Sequence, residues 1–235
     1  TKANLQVVIE SGAGLNATFT DEQYKNAEEL AELLSAIRTN PSLERMYKSI
    51  MFVEQPISRA HALDTDLSQL NLGLPVILDE SDGTLDAFIL AKNKGYSGIS
   101  SKTCKGIYKS FLNAARCQQW NSSNKTHPYF MSGEDLTVQA GLALQQDLAL
   151  VNLLGIKHVE RNGHHYVNGL GSCSQQEQSN FLKKHSDLYE NSYGATRLKI
   201  KNGIVQIGSL DCIGYASASM PDFSRMKALG QASYT

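Results

Sequence analysis

The sequence predicts an α/β fold built from strand–helix units, on three observations. Short apolar runs alternate with longer stretches of helical periodicity. The runs are apolar at successive positions, as strands covered by helices on both faces are. Three successive runs each end in a charged residue, about one strand–helix unit apart. A (β/α)8 TIM-like barrel and an open doubly wound sheet are the two architectures this pattern allows.

The elements follow in order. Leu5 to Ile9 is an apolar-rich run ending at Glu10. Tyr24, Ala27, Leu30, Leu33, Leu34 and Ile37 recur at helical spacing, which predicts a helix over 22–37 that Asn40-Pro41 stops. Ile50-Met51-Phe52-Val53 ends in Glu54, and Pro75-Val76-Ile77-Leu78 ends in Asp79. A helix over 84–94 closes at Gly95, and a strand over 96–101 ends in Lys102. Residues 107–120 read as a helix, and Tyr129-Phe130-Met131 as a strand. Residues 136–154 read as a long helix closed by Gly155, and 156–159 as a strand ending in Glu160. Gln175 to His185 is the last helix. Thr196 to Ile200 and Ile204 to Ile207 then flank Lys201-Asn202-Gly203, a hairpin signal. A hairpin after a strand–helix series suggests that the tail leaves the barrel. The predicted division is a barrel portion over 1–170 and a last helix with hairpin tail over 171–235.

Bulk properties exclude several classes. The chain has 235 residues, 41% hydrophobic and 19% charged, which is globular and not disordered. Net charge is −1 without a basic block, which argues against nucleic acid. No apolar run is long enough for a bilayer, and the start lacks a signal-peptide core, so a cytoplasmic, membrane-free protein is expected. Cys104, Cys117, Cys173 and Cys212 are scattered without zinc spacing and read as reduced thiols. Glycosylation-like triplets at Asn16, Asn121 and Asn124 read as chance matches, and His61, His127 and His185 receive no role.

The chemistry lies at the strand ends. Glu54, Asp79 and Lys102 stand 25 and 23 residues apart. In a parallel barrel all strand C-termini open on one face, where active sites are built. Two carboxylates suit a hard cation such as Mg2+, which stabilises charge developing on a substrate oxygen. A lysine near a dication is disfavoured as a cation, and a neutral lysine is a general base. An ion pair between Lys102 and Asp79 is the plain alternative. Glu134, after the fourth strand, is a second acid/base candidate; Ser132-Gly133-Glu134-Asp135 also reads as a capped helix start. Glu80 is taken as a substrate contact that could pair with a lysine, or as a plain support for Asp79. Lys105 reads as solvated or as an anion contact. Glu160, His164 and His165 follow the last strand and are candidates for substrate contact.

These residues carry a resemblance. Phe52-Val53-Glu54-Gln55-Pro56-Ile57-Ser58-Arg59 resembles the F-x-E-Q-P-x-x-R segment of the enolase superfamily, in its mandelate racemase and muconate lactonizing branch. Leu78-Asp79-Glu80-Ser81 resembles the D-E-S ending the next strand, and Gly98 to Gly106 the strand whose lysine is the base. The likeness extends through His158 to Tyr166 and into the tail hairpin.

The resemblance implies a barrel, incomplete here, whose C-terminal segment packs on a capping domain. It also implies Mg2+, a small carboxylate substrate that loses its α-proton, lyase or isomerase chemistry, and assembly as a homo-oligomer. Glu54 and Asp79 would be metal ligands and Lys102 an acid/base.

The pattern fails at one point. Where the branch reads roughly L-D-G-N-E-Q-Y, Glu22-Gln23-Tyr24 aligns and places Phe19 at the first ligand. Asp21 is the nearest carboxylate and is taken as that ligand, although it also reads as a helix cap. A non-catalytic or truncated homologue that binds a metal or an organic acid is the rival reading, and a metal aldolase or hydrolase on an unrelated barrel a third.

Overall fold

A computed structural model describes residues 4–8 as backbone, and 26–134, 139–161, 163 and 166–226 in full. Glu10, Phe19, Asp21, His164 and His165 lie outside the described residues. The chain divides into two compact units, residues 9–134 and residues 1–8 with 135–235.

The first unit opens with helix α1 (Ala27–Thr39). Asn26 caps it by accepting from the Glu29 amide at 3.0 Å, with Glu28 and Glu29 in the first turn where the helix dipole favours acids. Its buried stripe is Ala27, Leu30, Leu34 and Ile37, all four among the predicted apolar positions. Asn40-Pro41 ends it as expected: Pro41 opens a short 3-10 turn that leads into α2 (Glu44–Ser49).

Four parallel strands follow: β2 (Val53–Glu54), β3 (Val76–Leu78), β4 (Gly98–Ser101) and β5 (Phe130–Gly133). Their order in the sheet is β2-β3-β4-β5, each beside its sequence neighbour. Barrels wind in this sequential way, whereas a doubly wound sheet reverses at a switch point. The described residues show this four-strand run within a mixed α/β fold, and not a complete barrel. Val76, Ile77, Leu78 and Ile99 are all buried, as strands covered on both faces require.

Helix α3 (Ala87–Asn93) joins β3 to β4, and α4 (Ile107–Ser123) joins β4 to β5. Phe88 of α3 packs edge-on to Trp120 of α4 at 5.0 Å, and Trp120 packs on Tyr129 at 5.1 Å. Gly95 ends α3 with φ +89, the left-handed cap predicted there.

Gly98 has a different reason to be glycine. A Cβ there would stand 2.7 Å from the Phe130 carbonyl oxygen and 2.9 Å from Ile77 Cγ2, the two neighbouring strands. Gly98→Ala is therefore expected to destabilise the protein by roughly 1–3 kcal/mol through overpacking. Urea denaturation checks this, and an unchanged midpoint would mean that the strands are not so close.

The second unit holds a sheet of order β6-β1-β10-β9. β1 (Asn4–Val8) runs parallel to β6 (His158–Glu160) and antiparallel to β10 (Ile204–Gln206). β9 (Ile200–Lys201) and β10 form the predicted hairpin, and Asn202 and Gly203 at its tip have φ 52 and 73, the pair of positive values a type I′ turn needs. So the tail hairpin extends the sheet that holds β1 and β6.

Residues 195–198 leave that hairpin. As β8 (Ala195–Leu198) they pair instead with β7 (Tyr189–Ser192), through a second tight turn at Tyr193-Gly194, φ 51 and 77, that sequence reading missed. Helices α5 (Leu142–Leu153) and α6 (Gln175–Lys184) complete this unit. The helix expected over 136–154 thus begins at 142 among the described residues. Cys104, Cys117, Cys173 and Cys212 are all free. Among the described residues no helix is long and apolar enough to cross a membrane.

Candidate active site

The parallel register of the first unit carries its charged residues to one edge. Glu54 is the last residue of β2; Asp79, Lys102 and Glu134 each follow directly on β3, β4 and β5. Glu54, Asp79 and Lys102 were expected to meet at this edge; the structure brings Lys102 against Asp79 and adds Glu134, which the sequence left open between strand end and helix start. Lys102 Nζ stands 2.7 Å from Asp79 Oδ2 and 2.6 Å from Glu134 Oε2. A carboxylate oxygen of Glu54 lies within 4.8 Å of one of Glu134. The Glu134 amide donates to the Ser101 carbonyl at 3.2 Å, so the chain is still in the sheet there. Ser132 is buried within β5 and is no helix cap.

Lys105 differs from its sequence reading. It is not solvated: its Nζ donates to Asp79 Oδ1 at 2.5 Å, to the Asp79 carbonyl at 2.9 Å and to the Ser100 carbonyl at 3.0 Å. Asp79, 2% exposed, therefore has an ammonium on each carboxylate oxygen. The peptide also holds it in place, since buried Gln55 accepts from the Asp79 and Ser81 amides at 3.0 and 2.8 Å.

Sequence reading missed a second layer. Lys109 of α4 pairs with buried Asp82 at 3.0 Å and also donates to its carbonyl. One signal was available: Lys102, Lys105 and Lys109 are three and four residues apart, and Asp79 and Asp82 three apart, so both sets fall on one side of their turns. It was obscured because α4 buries Lys109, Ser110 and Asn113 and exposes Tyr108 and Phe111.

Protonation follows from this packing. Burial opposes ionisation of Asp79, but Lys105, a proton from Glu80 and Lys102 together hold it well below the usual carboxylate range. Burial also opposes the charge on Lys102, but Asp79 and Glu134 outweigh it and hold the ammonium above the usual lysine range. The sequence argument expects a lowered lysine beside a bound dication; between these two carboxylates alone it is raised. Glu80 does not pair as expected with a lysine first of all. Burial and its hydrogen bond to Asp79 push its carboxyl up to about 7.

That shift has a sign. Between its ordinary value of 4.5 and about 7, the unfolded chain has released the Glu80 proton and the folded chain keeps it. Stability contributed by Glu80 therefore falls as pH rises through this window. Asp79 acts oppositely and only in acid, where its contribution is lost as pH falls below 3.8. Buried His185, whose pKa burial lowers, gives stability that rises with pH near 6.5, so the Glu80 effect must be read by difference. Urea midpoints of wild type and Glu80→Gln at about pH 5 and about pH 7.5 should diverge, with the wild type losing stability relative to the variant at the higher pH. Parallel profiles would rule out the raised Glu80.

Glu160 ends β6 in the second unit and is half-buried. The positions of Asp21, His164 and His165 are outside the described residues.

No protein-family model matches the chain, and no curated protein matches it. Among solved structures it is similar to a mandelate racemase/muconate lactonizing protein from Herpetosiphon aurantiacus, at 13% identity and a TM-score of 0.47. The matched region covers 74% of this chain and 43% of that one, so the chain spans less than half of that protein's length.

Proposed function

We propose that this chain removes the proton α to a small substrate's carboxylate with the help of a divalent cation, as an enzyme of the enolase superfamily in its mandelate racemase and muconate lactonizing branch. Dehydration, racemisation or cycloisomerisation would follow. The observation that carries this reading is Lys102 at the C-terminal edge of a parallel sheet, held between Asp79 and Glu134 from the strands on either side.

The donor set fits a hard dication in part. With Glu80 keeping its proton, Glu54, Asp79, Asp82 and Glu134 still outnumber Lys102, Lys105 and Lys109, so the cluster carries excess negative charge on oxygen donors. Glu54 and Glu134 are close enough to share an ion. Asp79 would join them once a lysine releases one of its oxygens. Asp21 is the further carboxylate that the resemblance offers, and Glu80, Glu160, His164 and His165 are proposed for substrate contact. A bound ion of this kind stabilises charge developing on a substrate carboxylate.

The chain's own groups handle the proton. Lys102 Nζ is the acid form here and can deliver a proton to the α-carbon. After giving one up, it can take the next. Glu134, 2.6 Å away on the neighbouring strand, is placed to exchange protons with it. Both side chains are only 12–13% exposed, which limits competing exchange with water. Homo-oligomeric assembly belongs to the same reading.

A non-catalytic homologue is the second reading, favoured by one observation: Asp79 already has two lysines as its counter-ions. Exchange of a carboxylate substrate's α-proton for deuterium in the presence of Mg2+ separates the two, because the non-catalytic reading also allows metal binding. The enzyme reading expects exchange that EDTA abolishes. Saturable Mg2+ binding without exchange, or no binding at all, would favour the non-catalytic reading.

A further inference from the structure

Helix α4 is inverted relative to an ordinary surface helix, which buries apolar side chains and turns its charges to water. It buries Lys109, Ser110 and Asn113, and it exposes Ile107, Tyr108, Phe111 and Leu112. Spacings of three and four residues put these exposed side chains on one side of the helix. Tyr108 is 91% exposed. The ion pair of Lys109 with Asp82 accounts for the buried face and leaves the outer one unexplained.

Helix α3 continues that outer face. Leu85, just before it, and Ile89 and Leu90 within it are exposed. Arg116 of α4 donates to the Leu85 carbonyl at 2.5 Å, so Leu85 lies beside the turn of α4 that follows Leu112. Phe88 and Trp120 pack between the same two helices. The exposed apolar groups of α3 and α4 therefore form one face within the unit of residues 9–134.

No exposed residue of either helix is charged. Their charged residues are all cations, and each is engaged by the protein's own groups. Lys92 lies over the rings of Trp120 and Tyr129 at 5.3 and 5.6 Å. Lys109 pairs with Asp82, and Arg116 holds the Leu85 carbonyl. Protein surfaces made for water carry about 25–35% charged residues, so this face is not ordinary surface.

Area and charge then select the occupant. Taking about 150–200 Å2 for a large apolar side chain, the exposed fractions from Leu85 to Leu112 amount to roughly 600 Å2. That is the upper end of what monomers leave exposed, about 300–600 Å2. A stable interface takes about 800 Å2 from each partner, which exposed Asn93, Ala115, Gln118 and Gln119 would complete as a rim. An anionic membrane or a nucleic acid would select cations on the face, and these are turned away from it. In a two-fold interface the same patch meets itself, so any charge on it would meet its like. An uncharged apolar face meets this condition, and interfaces between identical chains are the more apolar class.

We propose that the outer face of α3 and α4 is a two-fold interface with a second copy of this chain. It gives the assembly proposed above its contact surface, and it rests on that part of the reading and not on the reaction.

Sedimentation velocity of the whole chain over a range of concentrations tests this. Wild type is expected to associate, with a dimer as its smallest assembled form. Phe111→Glu and Tyr108→Glu each set a charge against its copy, on exposed side chains where folding is little at risk, which circular dichroism checks. Each should weaken association by about thirtyfold or more, as loss of a central aromatic contact does. Tyr215→Glu, on an equally exposed aromatic of the other unit, should leave association unchanged. A monomeric wild type would overturn the face and the assembly together. Assembly that survives both Phe111→Glu and Tyr108→Glu, or that only Tyr215→Glu dissolves, would overturn the face alone. Deuterium exchange into a substrate is read separately, so a failed interface and a failed reaction stay distinguishable.

Discussion

Asp79→Asn is expected to lower the stability of the protein by about 3 kcal/mol and to abolish Mg2+ binding. Both effects follow from the same two contacts. Asp79 is 2% exposed and is the shared counter-ion of Lys102 and Lys105, at 2.7 and 2.5 Å. Removing one partner of a buried ion pair costs about 3–5 kcal/mol, because the remaining charge is left in a poorly solvated place. The lower end applies here, since Lys102 keeps Glu134 and Lys105 keeps the carbonyls of Asp79 and Ser100. Urea denaturation measures the stability term, and calorimetry the metal term.

A destabilised variant that fails to bind metal is ambiguous by itself, so a second substitution is needed. In Lys105→Met the methylene stem remains and the ammonium is gone, which frees Asp79 Oδ1. Mg2+ binding should then tighten if Asp79 is a ligand. The double variant Asp79→Asn/Lys105→Met should recover part of the lost stability, since the two residues are in contact and their effects are not additive. Asp79→Asn with wild-type affinity for Mg2+ would remove Asp79 from the ligand set.

The strand-end residues were legible in the sequence for a physical reason. A strand covered by helices on both faces has to be apolar at successive positions, so β3 at Val76–Leu78 reads as a plain run, and the first charged residue after it marks where the chain leaves the sheet. Glu54, Asp79 and Lys102 were placed in this way, and the parallel register brought the last two into contact.

What was not legible depends on pairing across the fold. The burial of Lys105 and Lys109 was not legible because nothing local distinguishes a solvated ammonium from one buried on Asp79 or Asp82. The hydrophobic pattern of α4 gave no help, because its buried face is built around those ion pairs. Glu134 was ambiguous for a similar reason. Ser-x-Glu-Asp after a short apolar run serves equally as a helix cap and as a strand end, and only the pairing of Gly133 with Ser101 decides for the strand. At the C-terminal end, the Asn-Gly turn was found but the Tyr193-Gly194 turn was not, because tyrosine at φ 51 carries no local signal.

Lys102→Met is the variant with the largest expected effect on activity, and it separates the proton-transfer role from the metal site. Methionine keeps an unbranched side chain of similar reach and removes the ammonium. If Lys102 moves the α-proton, exchange of that proton for deuterium in a carboxylate substrate should fall by about two to four orders of magnitude, the usual contribution of a positioned acid or base. Metal affinity should move the other way. Lys102 withdraws negative charge from both Asp79 and Glu134, so its loss leaves an oxygen of each available and the cluster more negative. Loss of exchange with unchanged or tighter Mg2+ binding is the pattern that a merely structural ion pair does not produce. If Lys102 only neutralised Asp79, its removal would loosen the fold and spare any exchange that the protein supports. Retained exchange in a folded Lys102→Met protein would therefore transfer the acid/base role to Glu134 or to a residue outside the strand ends.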